Sequence, residues 1–154
     1  FGKQHQILTY VWPFDYCYPE GFYSGESYST DDEFVGDPTL TSFNADEKMT
    51  KFVNYIQVDS AKRKGSHILV PMGCDFAYQN ARNEFNAVQQ MVDYINEHNS
   101  ANMKLIFSTP SDYVKAVEQE KITWPVRYED AMPYGEFMND YWSGYYSSRP
   151  NAKK

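Results

Sequence analysis

Short apolar runs alternate along this chain with longer amphipathic stretches. Gln6–Trp12, QILTYVW, is a first strand candidate, ended by Pro13. An irregular stretch, 14–42, follows, rich in Tyr, Ser, Gly and Asp, with prolines at 19 and 38. Connections of that length are usually functional or mobile rather than filler. The spacing then predicts a helix from about Asn44, an N-cap residue with Glu47 in capping-box register. Met49, Phe52, Val53 and Ile56 follow the i, i+3, i+4, i+7 rule and give it one apolar face, and Gly65 ends it.

His67–Met72 is a second strand candidate, continuously apolar as suits a parallel strand covered on both faces. A second helix is predicted from about Asn80 to Glu97, with Phe85, Val88, Val92 and Ile95 inward, closed by the polar break 98–102. Lys104–Phe107 is the third strand candidate. Ser108-Thr109-Pro110 is then a strand-to-helix corner, a hydroxyl cap before proline at the first helical position. The helix after it runs to about Glu120, with Tyr113, Val114 and Val117 apolar.

Such alternation means an α/β fold with a parallel sheet and right-handed crossovers. Three β-α units are too few to close a barrel, so the expectation is a sector of a parallel β/α barrel within a larger domain. All of 1–154 would then belong to one barrel domain, with 14–42 a long irregular loop. After Lys121 the periodicity fails. Trp124-Pro125, Met132–Gly135 and Tyr141–Tyr146 make 121–154 an aromatic loop region, with a short helix expected near Asp140.

Composition changes this picture in three ways. The formal charge of −7, from 21 acids and 14 bases, argues against nucleic acid, which needs a basic footprint. The one basic cluster, Lys62-Arg63-Lys64, reads as the solvated last turn of a helix, where cations suit the dipole. No apolar run approaches the about 18 residues of a membrane-spanning helix, so no span is expected. The start FGKQHQ and the end SSRPNAKK read as the edges of a piece cut from a longer protein.

Candidate chemistry centres on HILVPMGCDF, 67–76, where an apolar run stops at Gly73 and presents Asp75. Catalytic groups in α/β barrels and open α/β sheets sit just past the C-terminal ends of strands. The plainer reading is a loop aspartate capping the next helix. Cys17 and Cys74 lack metal-ligand spacing; they could pair with each other or with other parts of the protein, or Cys74 could be a small buried residue. No N-x-S/T sequon occurs. The 14 Tyr, 10 Phe and 3 Trp offer flat apolar faces with polar tips, which suit sugar rings but also ordinary cores. Glu26, Asp31, Asp32 and Asp37 cluster in the long loop without EF-hand spacing or glycine, so a solvated acidic loop is favoured over a calcium site. Glu129 and Asp130 could assist at a sugar pocket or satisfy loop backbone donors.

HILVPMGCDFAYQNA (67–81), LIFSTPSDY (105–113), ITWPVRYEDAMPY (122–134) and YWSGYYSSRP (141–150) together resemble the catalytic domain of glycoside hydrolase family 38, the zinc-dependent retaining α-mannosidases. The segments keep the family's order and spacing over about the last two thirds of the chain. In the first third, YVWP (10–13) and Cys17 are similar to a substrate-lining loop of the family. STPSDY and TWPV are nearer the acid, lysosomal-type branch than the Golgi branch. Ala131-Met132 stand where the family usually has two phenylalanines, and Gly135-Glu136 where it tends to have Ala-Asp. The loop between Tyr18 and Asp37 lacks the family's paired cysteines.

The resemblance implies that Asp75 is the general acid/base, that Trp142 lines the mannose pocket and that Tyr10 contacts substrate. A retaining glycosidase sets two carboxyl groups about 5–5.5 Å apart, one a nucleophile and one an acid that later serves as base. The implied zinc cofactor takes its ligands outside this chain, since His5, His67 and His98 do not lie in the family's ligand motifs; His67 reads as structural. The implied partners are α-mannoside glycans and the remaining segments or chains of the same enzyme, with no nucleic acid and no membrane span, in the lysosome or secretory pathway. The chain alone is then expected to be inactive and to fold poorly. The alternatives are a non-catalytic mannose-binding relative and a structural module of the same fold.

Overall fold

Helix α1, Ala45–Ser60, forms where the apolar spacing places it, with Phe52 buried and Met49, Val53 and Ile56 half-buried. The computed structural model describes residues 6–12, 16–22, 31–99 and 101–153. His5, Pro13 and Glu26 lie outside the described residues, as do parts of the 14–42 loop. The chain divides into two units, Phe1–Ile122 and Thr123–Lys154.

Asn44 holds the N-cap position of α1, but its side chain does not cap. Its Oδ1 accepts from the Val35 amide at 2.9 Å and its Nδ2 donates to the Glu33 carbonyl at 2.8 Å. Glu47 likewise turns outward to Lys51, at 2.6 Å, instead of back to the cap. The helix stops at Ser60, before Gly65, and 61–66 continue as turns. Two charges inside this helix escaped the apolar pattern. Lys48 is buried and its ammonium donates to the carbonyls of Gly21 (2.7 Å) and Asp32 (2.6 Å), tying both loops to the helix. Burial lowers the Lys48 pKa, opposed by the nearby Asp31 and Asp32. Asp59 is buried and paired with Arg63 at 2.7 Å.

Arg63 corrects the reading of the basic cluster as a solvated helix turn. Its guanidinium lies past the end of α1, 4.1 Å from the centre of the Tyr10 ring, and donates to the Val11 carbonyl at 3.1 Å. The planar cation satisfies a buried carboxylate and a strand-like segment together, which a solvated lysine could not do.

Helix α2, Ala81–His98, and helix α3, Pro110–Gln119, follow the predicted positions. On α2 the buried stripe is Glu84, Val88, Met91 and Ile95, so the face is turned from the predicted one; Phe85 is 52 % exposed and Val92 half-buried. The reason is Glu84, whose carboxylate has partners inside and draws the first turn inward. At α3, Thr109 caps as the corner predicts, its hydroxyl oxygen accepting from the Asp112 amide at 3.2 Å before Pro110.

The three predicted strands carry no backbone ladder. Residues 6–12, 67–72 and 104–107 adopt no regular secondary structure, and no backbone–backbone hydrogen bond joins them among the described residues. Side chains bond some of their backbone groups. The Leu69 carbonyl accepts from the Tyr10 hydroxyl (3.1 Å) and the Trp12 indole N–H (3.2 Å). Leu105 exchanges two bonds with the Asn96 carboxamide, at 2.7 and 2.9 Å. The core lies between α1, α2 and the loops: Tyr18, Phe22, Phe52, Met91 and Ile95, lined by Val70, Met72, Cys74 and Leu105.

The second unit holds a two-stranded antiparallel sheet, β1 Gly135–Phe137 and β2 Asp140–Tyr141, then α4 Gly144–Ser147 and a 3-10 turn, Pro150–Ala152. The short helix expected near Asp140 therefore falls after it, because Asp140 pairs opposite Phe137 in the hairpin.

Candidate active site

Gly73 and the turn after it set the position of Asp75. The Ala77 amide donates to the Cys74 carbonyl at 3.0 Å, closing a tight turn with Asp75 and Phe76 at its centre. Phe76 and Tyr78 both have positive φ, 61° and 64°, in the left-handed region that non-glycine residues rarely adopt. The loop folds back so far that a Cβ on Gly73 would meet the Tyr78 ring at 3.3 Å. Asp75 is exposed at the tip. It does not cap α2; Asn80 holds that position.

Three successive residues of the first segment grip this loop. The Tyr16 hydroxyl donates to Asp75 Oδ1 at 2.7 Å. Cys17 is disulfide-bonded to Cys74, with their Cα atoms 4.4 Å apart. The Tyr18 hydroxyl donates to Glu84 Oε2 at 2.7 Å, and the other oxygen of Glu84 accepts from the Tyr78 amide at 2.6 Å. Glu84 is thus a buried carboxylate satisfied on both oxygens, at the N-terminal turn of α2 where negative charge is favoured. The Tyr78 hydroxyl closes the loop on the Met72 carbonyl at 2.5 Å. Burial raises the Tyr78 pKa, the hydrogen bond with Tyr18 opposing it.

Tyr16, Tyr18 and Glu84 were not singled out by sequence, and the cysteine pairing was left open. The available signal was weak: the chain's only two cysteines stand next to Tyr16 and Asp75 respectively. Tyr10 is held elsewhere in the same unit. Its ring is edge-on to Tyr113 at 5.2 Å and faces Arg63, and its hydroxyl is committed to Leu69. Its pKa is pushed up to about 12, by burial first, with the Arg63 cation opposing.

Trp142 belongs to the second unit, where its amide donates to the Tyr134 carbonyl at 2.8 Å and its ring meets Tyr134 edge-to-face at 5.8 Å. The ring is half exposed, beside the exposed Tyr145 and Tyr146 in sequence, an apolar face with polar tips of the kind that stacks on sugars. Glu129 forms an exposed pair with Arg127 at 3.6 Å.

Among the described residues no three His, Cys, Asp or Glu side chains converge as a metal site. Asp37 accepts from the Thr39 amide (2.9 Å) and hydroxyl (2.7 Å), which hold its carboxyl below its usual pKa. His98 stacks on Tyr94 at 4.1 Å, with Nδ1 2.9 Å from the Tyr94 carbonyl. His67 stands 3.9 Å from Glu120.

Residues 2–137 match the family described as the N-terminal domain of glycosyl hydrolases family 38. A lysosomal alpha-mannosidase of Dictyostelium discoideum is 32 % identical over 151 residues, covering 97 % of this chain and 15 % of that protein. An alpha-mannosidase of Arabidopsis thaliana is 35 % identical over 153 residues, 99 % of this chain and 15 % of its own length. The lysosomal alpha-mannosidase of Homo sapiens is 29 % identical over 126 residues, 80 % of this chain and 12 % of its own. The chain therefore spans about 15 % of the length of the first of these relatives.

Proposed function

The chain belongs to glycosyl hydrolase family 38, and from that premise we propose that it is a segment of the catalytic domain of a retaining α-mannosidase that hydrolyses terminal α-mannosides of glycans. In this reading Asp75 is the general acid/base, Tyr10 is a substrate-contacting residue and Trp142 is a mannose-binding residue. The supporting observation is the presentation of Asp75: an exposed carboxyl on a tight turn, with one oxygen hydrogen-bonded and the chain locked on its N-terminal side by a disulfide. A group that must first give a proton and then take one needs a fixed position and an open oxygen; Oδ1 is held by Tyr16, and Oδ2 has no hydrogen-bond partner among the described residues.

The Tyr10 bond to Leu69 and its ring contacts with Arg63 and Tyr113 hold the side chain that, in this reading, contacts substrate. The three strand-like segments take their place in the parallel barrel of the complete domain, beside neighbours that complete their ladders. Zinc is the metal of this reading. In this reading its ligands are supplied by other parts of the enzyme; among the described residues no three His, Cys, Asp or Glu side chains converge, and no step through the metal is assigned to this chain. A disulfide beside the acid/base fits an oxidising compartment, and the likeness to lysosomal relatives supports the lysosome or secretory pathway.

The test is hydrolysis of an aryl α-mannoside by the full-length enzyme, with added zinc and after chelation, beside Asp75→Asn. Zinc-dependent turnover in the parent and a loss of about 10²–10⁴-fold in the variant are expected. Turnover that survives Asp75→Asn would remove the acid/base assignment, and mannoside binding without turnover in the parent would favour a non-catalytic sugar-binding relative.

A further inference from the structure

We propose that Tyr16 is a positioning residue for the reaction: its hydroxyl anchors Asp75 Oδ1 and thereby makes Oδ2 the oxygen that carries the proton to and from the sugar. The inference rests on the reading of Asp75 as the general acid/base. A phenol O–H that donates to Oδ1 occupies that oxygen as an acceptor, at 2.7 Å. A protonated carboxyl carries its hydrogen on one oxygen and accepts through the other. The acidic hydrogen therefore sits on Oδ2, pointing away from Tyr16.

The anchor is well held. Tyr16 precedes Cys17, and Cys74 precedes Asp75, so the hydrogen bond and the disulfide are adjacent cross-links between the same two segments. Tyr18 and Glu84 add a third link on the far side of Cys17. A carboxyl on an exposed turn would otherwise sample several rotamers, and a one-ångström misplacement of a reacting group can cost about 10²-fold in rate.

In the first half-reaction Oδ2–H passes its proton to the glycosidic oxygen as the bond to the anomeric carbon breaks. The electron pair of that bond leaves with the oxygen, the departing group becomes an alcohol, and the carboxylate nucleophile supplied by the rest of the enzyme bonds the anomeric carbon. In the second, Oδ2 takes a proton from water while the water oxygen displaces that nucleophile. Tyr16 keeps its bond to Oδ1 throughout and neither gains nor loses a proton.

Leaving-group dependence tests this in the full-length enzyme. Values of kcat/KM, which report the first half-reaction, are compared for methyl α-mannoside, which needs protonation, and 2,4-dinitrophenyl α-mannoside, which does not. Tyr16→Phe should lower the first about tenfold, as loss of one positioning hydrogen bond to a carboxyl does, and the second less than about twofold. The dinitrophenyl value reports at the same time that the variant is folded. Asp75→Ala should show the same selectivity at larger amplitude. Selective loss in Asp75→Ala with equal losses, or none, in Tyr16→Phe would overturn the role of Tyr16 alone. Loss without selectivity in Asp75→Ala would overturn the acid/base reading and this inference with it.

Discussion

Glu120, the residue that closes α3, ties that helix to the start of the segment leading to Asp75. Its Oε1 accepts from the Ser66 amide at 2.8 Å and from the Ser66 hydroxyl, while its buried Oε2 has no hydrogen-bond partner among the described residues. Gly65 makes this approach possible: its φ is +87°, and a Cβ there would run into the Glu120 carboxylate and Ile122. The Ser66 donors, and more weakly His67, hold the Glu120 carboxyl below its ordinary 4.5. A carboxyl with a depressed folded pKa stabilises the fold above its unfolded pKa, and that contribution is lost as pH falls through the folded value. Amide hydrogen exchange of Ser66 in the full-length protein should therefore show constant protection, corrected for intrinsic rate, near neutral pH and falling protection below 4.5. Glu120→Gln should abolish the dependence; protection that stays flat in acid would refute it. Little at this scale was legible. Arg63 and Asp59 stand at an i, i+4 spacing that sequence does show, but whether such a pair is buried depends on what covers it.

The elements divide by how local their causes are. The cap and proline of α3 act within one turn, so Thr109 could be identified from four letters of sequence. The stripe of α2 was rotated by Glu84, whose partners Tyr18 and Tyr78 come from two other segments. The segments patterned as strands also bond to side chains from elsewhere: Asn96 bonds the Leu105 backbone, and Tyr10 and Trp12 donate to the Leu69 carbonyl. The disulfide is the strongest link between elements, closing a separation of 57 residues. Loop-closure entropy for a ring of that size is worth about 4 kcal/mol, and measured values commonly run about 2–4 kcal/mol. Cys17→Ser with Cys74→Ser should lower the opening free energy of residues 73–80 in the full-length protein by about 2–4 kcal/mol, read by native-state hydrogen exchange. An unchanged opening free energy would mean that Tyr18 and Glu84 suffice to hold the loop.

At the scale of the whole molecule, the core is small and apolar residues of the segments patterned as strands are open to solvent. Ile7 is 90 % exposed and Ile106 69 %, although both lie in runs patterned for a covered strand. Exposed apolar groups on segments without a backbone ladder attract neighbours. The chain expressed alone should bind a hydrophobic dye strongly and melt without a single cooperative transition. A sharp transition with no dye binding would show that this piece is self-sufficient.

The existence and order of the three main helices, the corner at Thr109-Pro110 and the position of Asp75 on a turn after an apolar run were all determined by the sequence alone. Each depends on periodicity or on contacts within a few residues, which a linear reading contains. The grip of Tyr16, Cys17 and Tyr18 on the Asp75 loop, the burial of Lys48, Asp59 and Glu84, and the commitment of Tyr10 to Leu69 were decided only by the tertiary structure. Those features join residues far apart in the chain, and a buried charge or a hydroxyl acquires its role from whichever distant group the fold brings within hydrogen-bonding distance.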